Sequence, residues 1–277
     1  MKNISPACVE DLTAELQLQI NASRKYRQLG IPKATLRDLV EKNLRLADNP
    51  RQLDKVLRHK LHNLVAPYLG DPDYTDKVNA LSGLPRELHS PAMMEWCKSI
   101  LNTHASTRER LPIQQAFYKE IFNLTGTPGV ILDLACGMNP FALPWMGLPT
   151  DAQYYAFDLH QPRTHLITAF LAHIGQPGTA HHQDILVEPP QIDADVIFFF
   201  KEAHRFEQRE RGASRRFFNQ LSTRWLLVSL PTHSLSGQRS MLESDRHLIY
   251  EACVDRDWKV SELLFDSEIV FCIRVHP

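Results

Sequence analysis

The sequence predicts an α/β fold with a mainly parallel sheet, preceded by an all-α N-terminal domain. Apolar residues follow helical spacing through the first hundred residues, and from Gly129 short apolar runs alternate with amphipathic segments. The composition, with 43% hydrophobic and 23% charged residues, is typical of a folded globular chain. Because 277 residues exceed one average domain, we expect two: residues 1–104 and residues 105–277.

The helical half has its clearest signal at Asn49-Pro50, an N-cap followed by a first-turn proline. Apolar residues at helical spacing follow from Leu53 to Val65, and the predicted helix ends near Pro67. A similar pattern covers residues 36–44. Ser90-Pro91 opens another predicted helix, and a further one is expected over residues 106–124.

The second half is predicted to contain strands that alternate with helices. Strands are predicted at residues 130–134, 154–157, 196–200, 225–230 and 269–275, with a further candidate before Gln183. Helices are predicted at about 140–147, 160–174, 203–221 and 241–256. This order favours parallel strands joined by right-handed crossovers.

Charge is unevenly distributed, although the net charge is only -1. Between Arg24 and Lys60 there are eleven lysines and arginines against four acids. Such a cluster supplies the sequence-independent attraction to phosphates that nucleic-acid binding needs. Arginines between Arg205 and Arg216 form a second candidate basic surface. For both segments, a solvated helix face remains an alternative.

Several classes of protein are not favoured. The N-terminus reaches Glu10 and Asp11 before any apolar run, and no later run could span a bilayer. The five cysteines form no C-x-x-C pair, and the histidines lack metal-ligand spacing. No Gly-x-Ser-x-Gly elbow supports a hydrolase. We therefore expect a cytoplasmic protein with reduced thiols, no membrane segment and no metal.

A candidate ligand site follows the first buried strand, at Asp133-Leu-Ala-Cys-Gly137. In an open α/β sheet ligands bind at the carboxyl ends of the strands, where a glycine lets the backbone approach them closely. The next strand ends at Asp158, whose carboxylate could accept hydrogen bonds from both ribose hydroxyls of a nucleoside. Gln183 and Asp184 could reach an adenine, or could form a turn or a helix N-cap.

The number of glycines in this turn indicates which kind of nucleoside could bind. A G-x-G-x-x-G fingerprint is absent, so a pyrophosphate ligand is not favoured. The single-glycine turn resembles motif I of the class I (Rossmann-like) methyltransferases, whose cofactor is S-adenosyl-L-methionine. An ordinary strand-to-helix turn is the alternative.

Longer segments resemble the 16S rRNA guanine-N7 methyltransferases of the aminoglycoside-resistance group, which modify nucleotide 1405. In the second half the similar segments are residues 104–111, 131–143, 200–201 and 229–237. Residues 22–27 and 58–62 are similar to that family's helical RNA-docking domain. The resemblance implies S-adenosyl-L-methionine as cofactor, 16S rRNA within the 30S subunit as partner, and aminoglycoside resistance as the outcome.

The same resemblance implies which residues contact the cofactor. They are His104, Ser106, Arg110, Ala135, Gly137, Asp158, Gln183 and Asp184. Arg110 is expected to bind the methionine carboxylate, since a guanidinium offers it a bidentate fork; a surface or capping partner is the alternative for this residue.

Target positioning is predicted for Lys201, His233 and Arg239. No general base is nominated, because N7 of guanine keeps a lone pair at neutral pH. After Phe200-Lys201 this chain continues with Glu202-Ala-His, where the family usually has leucines and a proline. A catalytically silent homologue, or one retargeted to another base such as adenine N1 or to a small molecule, therefore remains open. We expect a monomer.

Overall fold

A computed structural model describes residues 6–69, 71, 74–232 and 241–275. Its first half contains helices and no strand within these ranges. The helices are α1 (Pro6–Ala22), α2 (Lys33–Leu44), α3 (Pro50–Val65), α4 (Thr75–Leu81), α5 (Pro91–Leu101), α6 (Ala105–Arg108) and α7 (Gln114–Thr125). Helix α3 begins as predicted, because the side chain of Asn49 accepts a 3.0 Å hydrogen bond from the Gln52 amide. The prediction of an all-α first half is confirmed.

The second half forms one seven-stranded sheet. Its elements are β1 (Val130–Leu134), α8 (Leu143–Met146), β2 (Gln153–Asp158), α9 (Gln161–Ile174), β3 (Gly178–His182), β4 (Ala194–Phe200), α10 (Ala203–Arg209), α11 (Ala213–Phe218), β5 (Thr223–Pro231), α12 (Leu242–Ala252), β6 (Lys259–Leu264) and β7 (Glu268–Arg274). The strand order is β3-β2-β1-β4-β5-β7-β6. Strand β7 runs in the opposite direction to the other six strands and so pairs antiparallel with both β5 and β6. The prediction of a mainly parallel sheet is confirmed.

Three elements differ from the prediction for local reasons. Strand β6 was not predicted, because it lies at the sheet edge and alternates exposed with half-buried residues. The helix predicted over 203–221 is divided into α10 and α11 at Gly212, which has a φ of 73°. The helix predicted over 106–124 is interrupted by a 3-10 turn at Leu111–Ile113 that contains a proline.

Three apolar cores in the described residues divide the chain differently from the predicted boundary at residue 104. Helices α1–α3, here called the N-terminal bundle, enclose a core of their own that includes Leu36, Val40 and Leu57. Helices α4 and α5 contribute instead to the core on one face of the sheet. We therefore propose a domain boundary between Val65 and Tyr74.

The N-terminal bundle is attached to the loops beyond the carboxyl ends of the strands. Thr35 of α2 donates a 2.9 Å hydrogen bond to Asp184, which follows β3. Arg209 of α10 reaches the same carboxylate at 2.8 Å and pairs with Asp38 of α2 at 3.3 Å. The bundle is thereby held beside the edge of the sheet where ligands are expected.

Candidate cofactor site

The carboxyl end of β1 is the topological switch point of the sheet. Strand β1 lies between β2 and β4, and a crevice opens where the connections leave toward opposite sides. The backbone there is unusual: Ala135 after β1 and Lys201 after β4 have φ values of 51° and 59°. Left-handed backbone costs a residue with a side chain on the order of 1 kcal/mol, and such strain clusters at functional sites.

A cavity of about 150 Å³ occupies this crevice. Its lining comes from the helical half (Pro67, Tyr68, His104, Ser106, Thr107, Arg110), the loop after β1 (Ala135, Cys136, Gly137, Asn139), the region after β2 (Asp158, Arg163) and the end of β4 (Phe200, Lys201, Glu202, Arg205). Six of the eight residues predicted to contact a cofactor therefore lie around one cavity.

Asp158 is held in place by the backbone on either side of the cavity. Its carboxylate accepts hydrogen bonds from the amides of Gly137, at 3.0 Å, and His160, at 2.8 Å. Gly137 has a φ of 53°, and no atom lies within 4 Å of the position that a Cβ would take there. An acidic acceptor beside an open glycine backbone suits the ribose of a nucleoside.

Arg110 forms a buried ion pair with Glu268, the first residue of β7. Its Nε and Nη2 atoms lie 2.6 and 2.8 Å from the two carboxylate oxygens, and its Nη1 donates to Asn139 at 2.8 Å. Burial opposes ionisation of Glu268, but the charge and hydrogen bonds of Arg110 outweigh it and lower the pKa of that carboxyl. Glu268 thus occupies the bidentate fork of Arg110, and contact of Arg110 with the methionine carboxylate stays a prediction.

Behind Arg110, Asp133 fixes the loop that follows β1. One oxygen of Asp133 accepts hydrogen bonds from Asn139, at 3.0 Å, and from the hydroxyl of Tyr154, at 2.6 Å. Burial raises the pKa of Asp133 to about 7, against the opposing effect of these hydrogen bonds. The aspartate of the sequence motif therefore supports Asn139, which in turn contacts Arg110.

A second buried cluster joins the helical half to the cavity wall. Arg163 of α9 binds Asp71 through Nε at 2.7 Å and Nη2 at 2.9 Å. The same Nη2 lies 2.6 Å from Nε2 of His104, and because a guanidinium can only donate, this ring nitrogen accepts. Burial works against the Asp71 charge, but the hydrogen bonds and the positive charge of Arg163 hold the pKa of this carboxyl far below its ordinary value.

A family profile described as "Ribosomal RNA methyltransferase (FmrO)" matches residues 22–272. The chain belongs to the FmrO family of ribosomal RNA methyltransferases. It is 30% identical over 271 residues to the 16S rRNA (guanine(1405)-N(7))-methyltransferase of Micromonospora rosea, which covers 96% of this chain and 97% of the relative. The confirmed fold is that of a class I methyltransferase, and the enzyme uses S-adenosyl-L-methionine.

Solved structures resemble this FmrO-family enzyme over nearly its whole length. The 16S rRNA methylase RmtB matches with a TM-score of 0.77 and 26% identity, over 98% of this chain and 100% of that one. The 16S rRNA methyltransferase RmtF, in complex with S-adenosyl-L-homocysteine, matches in fold with a TM-score of 0.75 and 24% identity, over 96% of this chain and 99% of that one. The likeness therefore includes the N-terminal helices as well as the sheet.

Two predicted cofactor residues of the FmrO-family enzyme lie outside the cavity lining. Asp184 accepts from Thr35 and Arg209, as described above, and so joins the N-terminal bundle to the sheet. The Gln183 side chain donates to the carbonyl of Glu188 at 2.6 Å. Contact of either residue with the adenine stays a prediction.

The three predicted positioning residues have different outcomes. Lys201 lines the cavity, but its Nζ lies 2.7 Å from Glu109 and 3.4 Å from the carbonyl of Ser106. His233 and Arg239 lie outside the described residues. A role for any of them in target positioning stays a prediction.

Sequence reasoning missed several residues of this FmrO-family site. Asn139 lies within the segment that carried the resemblance, so its position could have been noticed. Glu268 left no local signal, because its partner Arg110 is 158 positions away along the chain. The carboxylates of Asp71 and Glu109, which hold Arg163 and Lys201, were missed for the same reason.

Proposed function

We propose that this enzyme transfers a methyl group from S-adenosyl-L-methionine to N7 of guanine 1405 in 16S rRNA, as part of the 30S subunit, and thereby confers aminoglycoside resistance. The observation that carries the proposal is the position of the N-terminal bundle. The 3-10 turn at its end contributes Pro67 and Tyr68 to the wall of the cofactor cavity. RNA bound along the bundle would therefore lie beside the methyl group.

The chain's own residues need to bind and align, and not to move a proton. S-adenosyl-L-methionine, when bound, supplies an electrophilic methyl group. N7 of guanine attacks with a lone pair, so no base is required and the rate depends on holding the reactants in line. Asp158 fits the ribose, and the buried pair of Arg110 and Glu268 fixes the opposite wall.

The cavity is smaller than the roughly 300–1,000 Å³ of typical ligand pockets. We infer that it holds the ribose and methionine parts of the cofactor, with the adenine beyond it toward the loop after β3. Gln183 and Asp184 lie on that loop and remain the proposed adenine contacts.

The docking surface of the N-terminal bundle supports an RNA partner. It comprises eleven exposed cations, namely Arg24, Lys25, Arg27, Lys33, Arg37, Lys42, Arg45, Arg51, Lys55, Arg58 and Lys60. In the described part of the chain, only four of them, Lys33, Arg37, Lys42 and Arg58, pair with a carboxylate. The remaining seven are available to phosphates.

The second candidate basic surface is less suited to RNA. Of its five arginines, Arg205, Arg209, Arg215 and Arg216 each lie within 3.3 Å of a carboxylate oxygen, and Arg211 pairs with no carboxylate of the described residues. Because four of the five charges are compensated within the protein, we propose that the docking surface makes the main phosphate contacts.

The test uses purified enzyme, labelled S-adenosyl-L-methionine and unmodified 30S subunits, with borohydride and aniline cleavage to map the modified base. We expect scission at nucleotide 1405, and its absence with Asp158→Ala. Free 16S rRNA and free nucleosides serve as competing substrates and report whether the assembled subunit is needed. Expression in a susceptible strain should raise its aminoglycoside tolerance, as expected for a cytoplasmic enzyme.

Other results would refute the proposal. Incorporation at a different base would mean that the enzyme is retargeted, and cofactor binding without incorporation would mean that it is catalytically silent. Light scattering during the same preparation tests our expectation of a monomer.

A further inference from the structure

Glu202 is a carboxylate that lines the cofactor cavity without a full set of partners. It lies two residues after the end of β4, and its side chain is only 17% exposed. One carboxylate oxygen lies 3.2 Å from Nη1 of Arg205. The other oxygen receives no hydrogen bond from any residue that the structure describes. A half-buried carboxylate oxygen that lines a cavity without a hydrogen-bond partner is available to a ligand group that fits there.

The groups around the cavity include one more carboxylate than lysines and arginines. Three of the four lining cations have a carboxylate of their own behind the wall, as Arg110 has Glu268, Arg163 has Asp71, and Lys201 has Glu109. Arg205 is the fourth, and its only carboxylate partner among the described residues is Glu202.

Asp158 is the fifth carboxylate around these four cations. Its oxygens are already compensated by the amides of Gly137 and His160. When all five are ionised, the carboxylates therefore exceed the cations by one charge. Of the two that line the cavity, Asp158 has hydrogen bonds to both oxygens, whereas Glu202 has one oxygen without a hydrogen bond from any described residue.

The cofactor and its product differ by one charge at the reacting atom. S-adenosyl-L-methionine has a sulfonium, and loss of its methyl group leaves the neutral thioether of S-adenosyl-L-homocysteine. We propose that Glu202 recognises the cationic cofactor and discriminates it from the neutral product. A carboxylate in a partly dry cavity attracts a cation far more strongly than it would in water. This attraction disappears once the methyl group has been transferred and the modified base has left, which favours release of the product.

The protonation of Glu202 provides a second signature. Burial raises its pKa to about 7, with a further contribution from Asp158 and an opposing one from Arg205 and Arg163. The charged and titratable groups that face it are Arg205 of α10, Asp158 of β2, Arg163 of α9 and Tyr68 beside the bundle. Near neutral pH much of Glu202 is protonated when the cavity is empty. A cationic ligand expels that proton, whereas a neutral ligand does not.

The test is isothermal titration calorimetry of both ligands at pH 6.5, in two buffers of different ionisation enthalpy. At this pH the amino groups of both ligands are protonated. Glu202 is therefore the group whose proton release differs between the binding of the two ligands. For the wild type we expect more than about half a proton released per S-adenosyl-L-methionine and little for S-adenosyl-L-homocysteine. Glu202→Gln should abolish this difference and reduce the preference for S-adenosyl-L-methionine by about tenfold.

Two variants serve as controls. Glu251→Gln removes an exposed carboxylate of α12 and should behave as wild type. Glu202→Leu removes the charge without adding an amide and should reproduce the effect of Glu202→Gln. Circular dichroism verifies that each variant is folded.

The proposal is overturned if both ligands release the same number of protons, or if Glu202→Gln weakens both equally. It is also overturned if Glu202→Gln leaves both affinities unchanged and only lowers methylation of 30S subunits, because the carboxylate would then contact the target base. The inference rests on the part of the proposed function that concerns the cofactor, and not on methylation of nucleotide 1405. Calorimetry with the two ligands can therefore fail while methylation of nucleotide 1405 is observed, and the reverse.

Discussion

The docking surface and the cofactor cavity are both rich in lysine and arginine, but these cations differ in whether they have carboxylate partners. Seven cations of the docking surface lack a carboxylate partner among the described residues, whereas every lysine and arginine that lines the cavity has one. The reason is burial. A charge in water needs no partner, but a buried charge without one costs several kcal/mol. Exposed cations remain available for RNA, while paired cations build a rigid wall.

The largest effect is expected when the pairing in the cavity is broken. Glu268→Ala would leave Arg110 buried and uncompensated, and the free energy of unfolding should fall by about 3–5 kcal/mol. Urea denaturation measures this change. The matched control is Glu262→Ala, which removes the partner of Arg246 at the surface and should cost less than about 1 kcal/mol. Equal losses from the two variants would show that burial does not distinguish these pairs.

The next effect tests the docking surface. Changing Arg51, Lys55 and Lys60 together to glutamate should weaken binding to 30S subunits by about 100-fold at physiological salt, and should reduce the salt dependence of binding. Cofactor affinity should not change. The control is a triple change to glutamate at Arg86, Lys98 and Lys119, which are exposed outside the bundle. If the control weakens 30S binding as much, net charge alone governs association.

A smaller effect is expected at the ribose end of the cavity. Asp158→Asn keeps one oxygen acceptor but loses the charge that accepts from the backbone amides and that we propose accepts from the ribose hydroxyls. S-adenosyl-L-methionine should bind about 10- to 30-fold more weakly in calorimetry, since charged acceptors form the stronger hydrogen bonds. Asp151→Asn, at an exposed position, is the control. Unchanged affinity for Asp158→Asn would remove this residue from the cofactor site.

The smallest effect concerns stability as a function of pH. Burial raises the pKa of Asp133 to about 7 in the folded protein, from an ordinary value of 3.8. Between these values the native state holds a proton that the unfolded state has lost, so the contribution of Asp133 to stability decreases as the pH rises from about 4 to 7. Asp133→Asn lacks this dependence. Its stability relative to wild type should increase by on the order of 1 kcal/mol between pH 6 and 7.

Thermal unfolding of both proteins across this pH range measures the difference. Other buried acids titrate in both proteins, so they cancel in the comparison. A constant difference in stability would mean that Asp133 is already ionised at pH 6.

Local patterns predicted most of the fold, and they failed where the pattern was weak. Alternation of apolar runs located β1, β2, β4, β5 and β7, because buried strands need continuous apolar residues. Edge strand β6 was not predicted, because it is partly exposed and lacks a continuous run of apolar residues. The break between α10 and α11 depended on one left-handed glycine, a conformation that the periodicity does not encode.

The sequence by itself determined the family, the class of cofactor, the ribose-binding candidate Asp158 and the basic character of the N-terminal helices. These features depend on residue types at short spacing, which the chain records directly. Only the tertiary structure decided which charges are compensated. It gave the fork of Arg110 to Glu268, placed Asp184 between the bundle and the sheet, and left Glu202 open in the cavity. Such pairings join residues far apart along the chain, and their energies depend on burial, which exists only once the chain has folded.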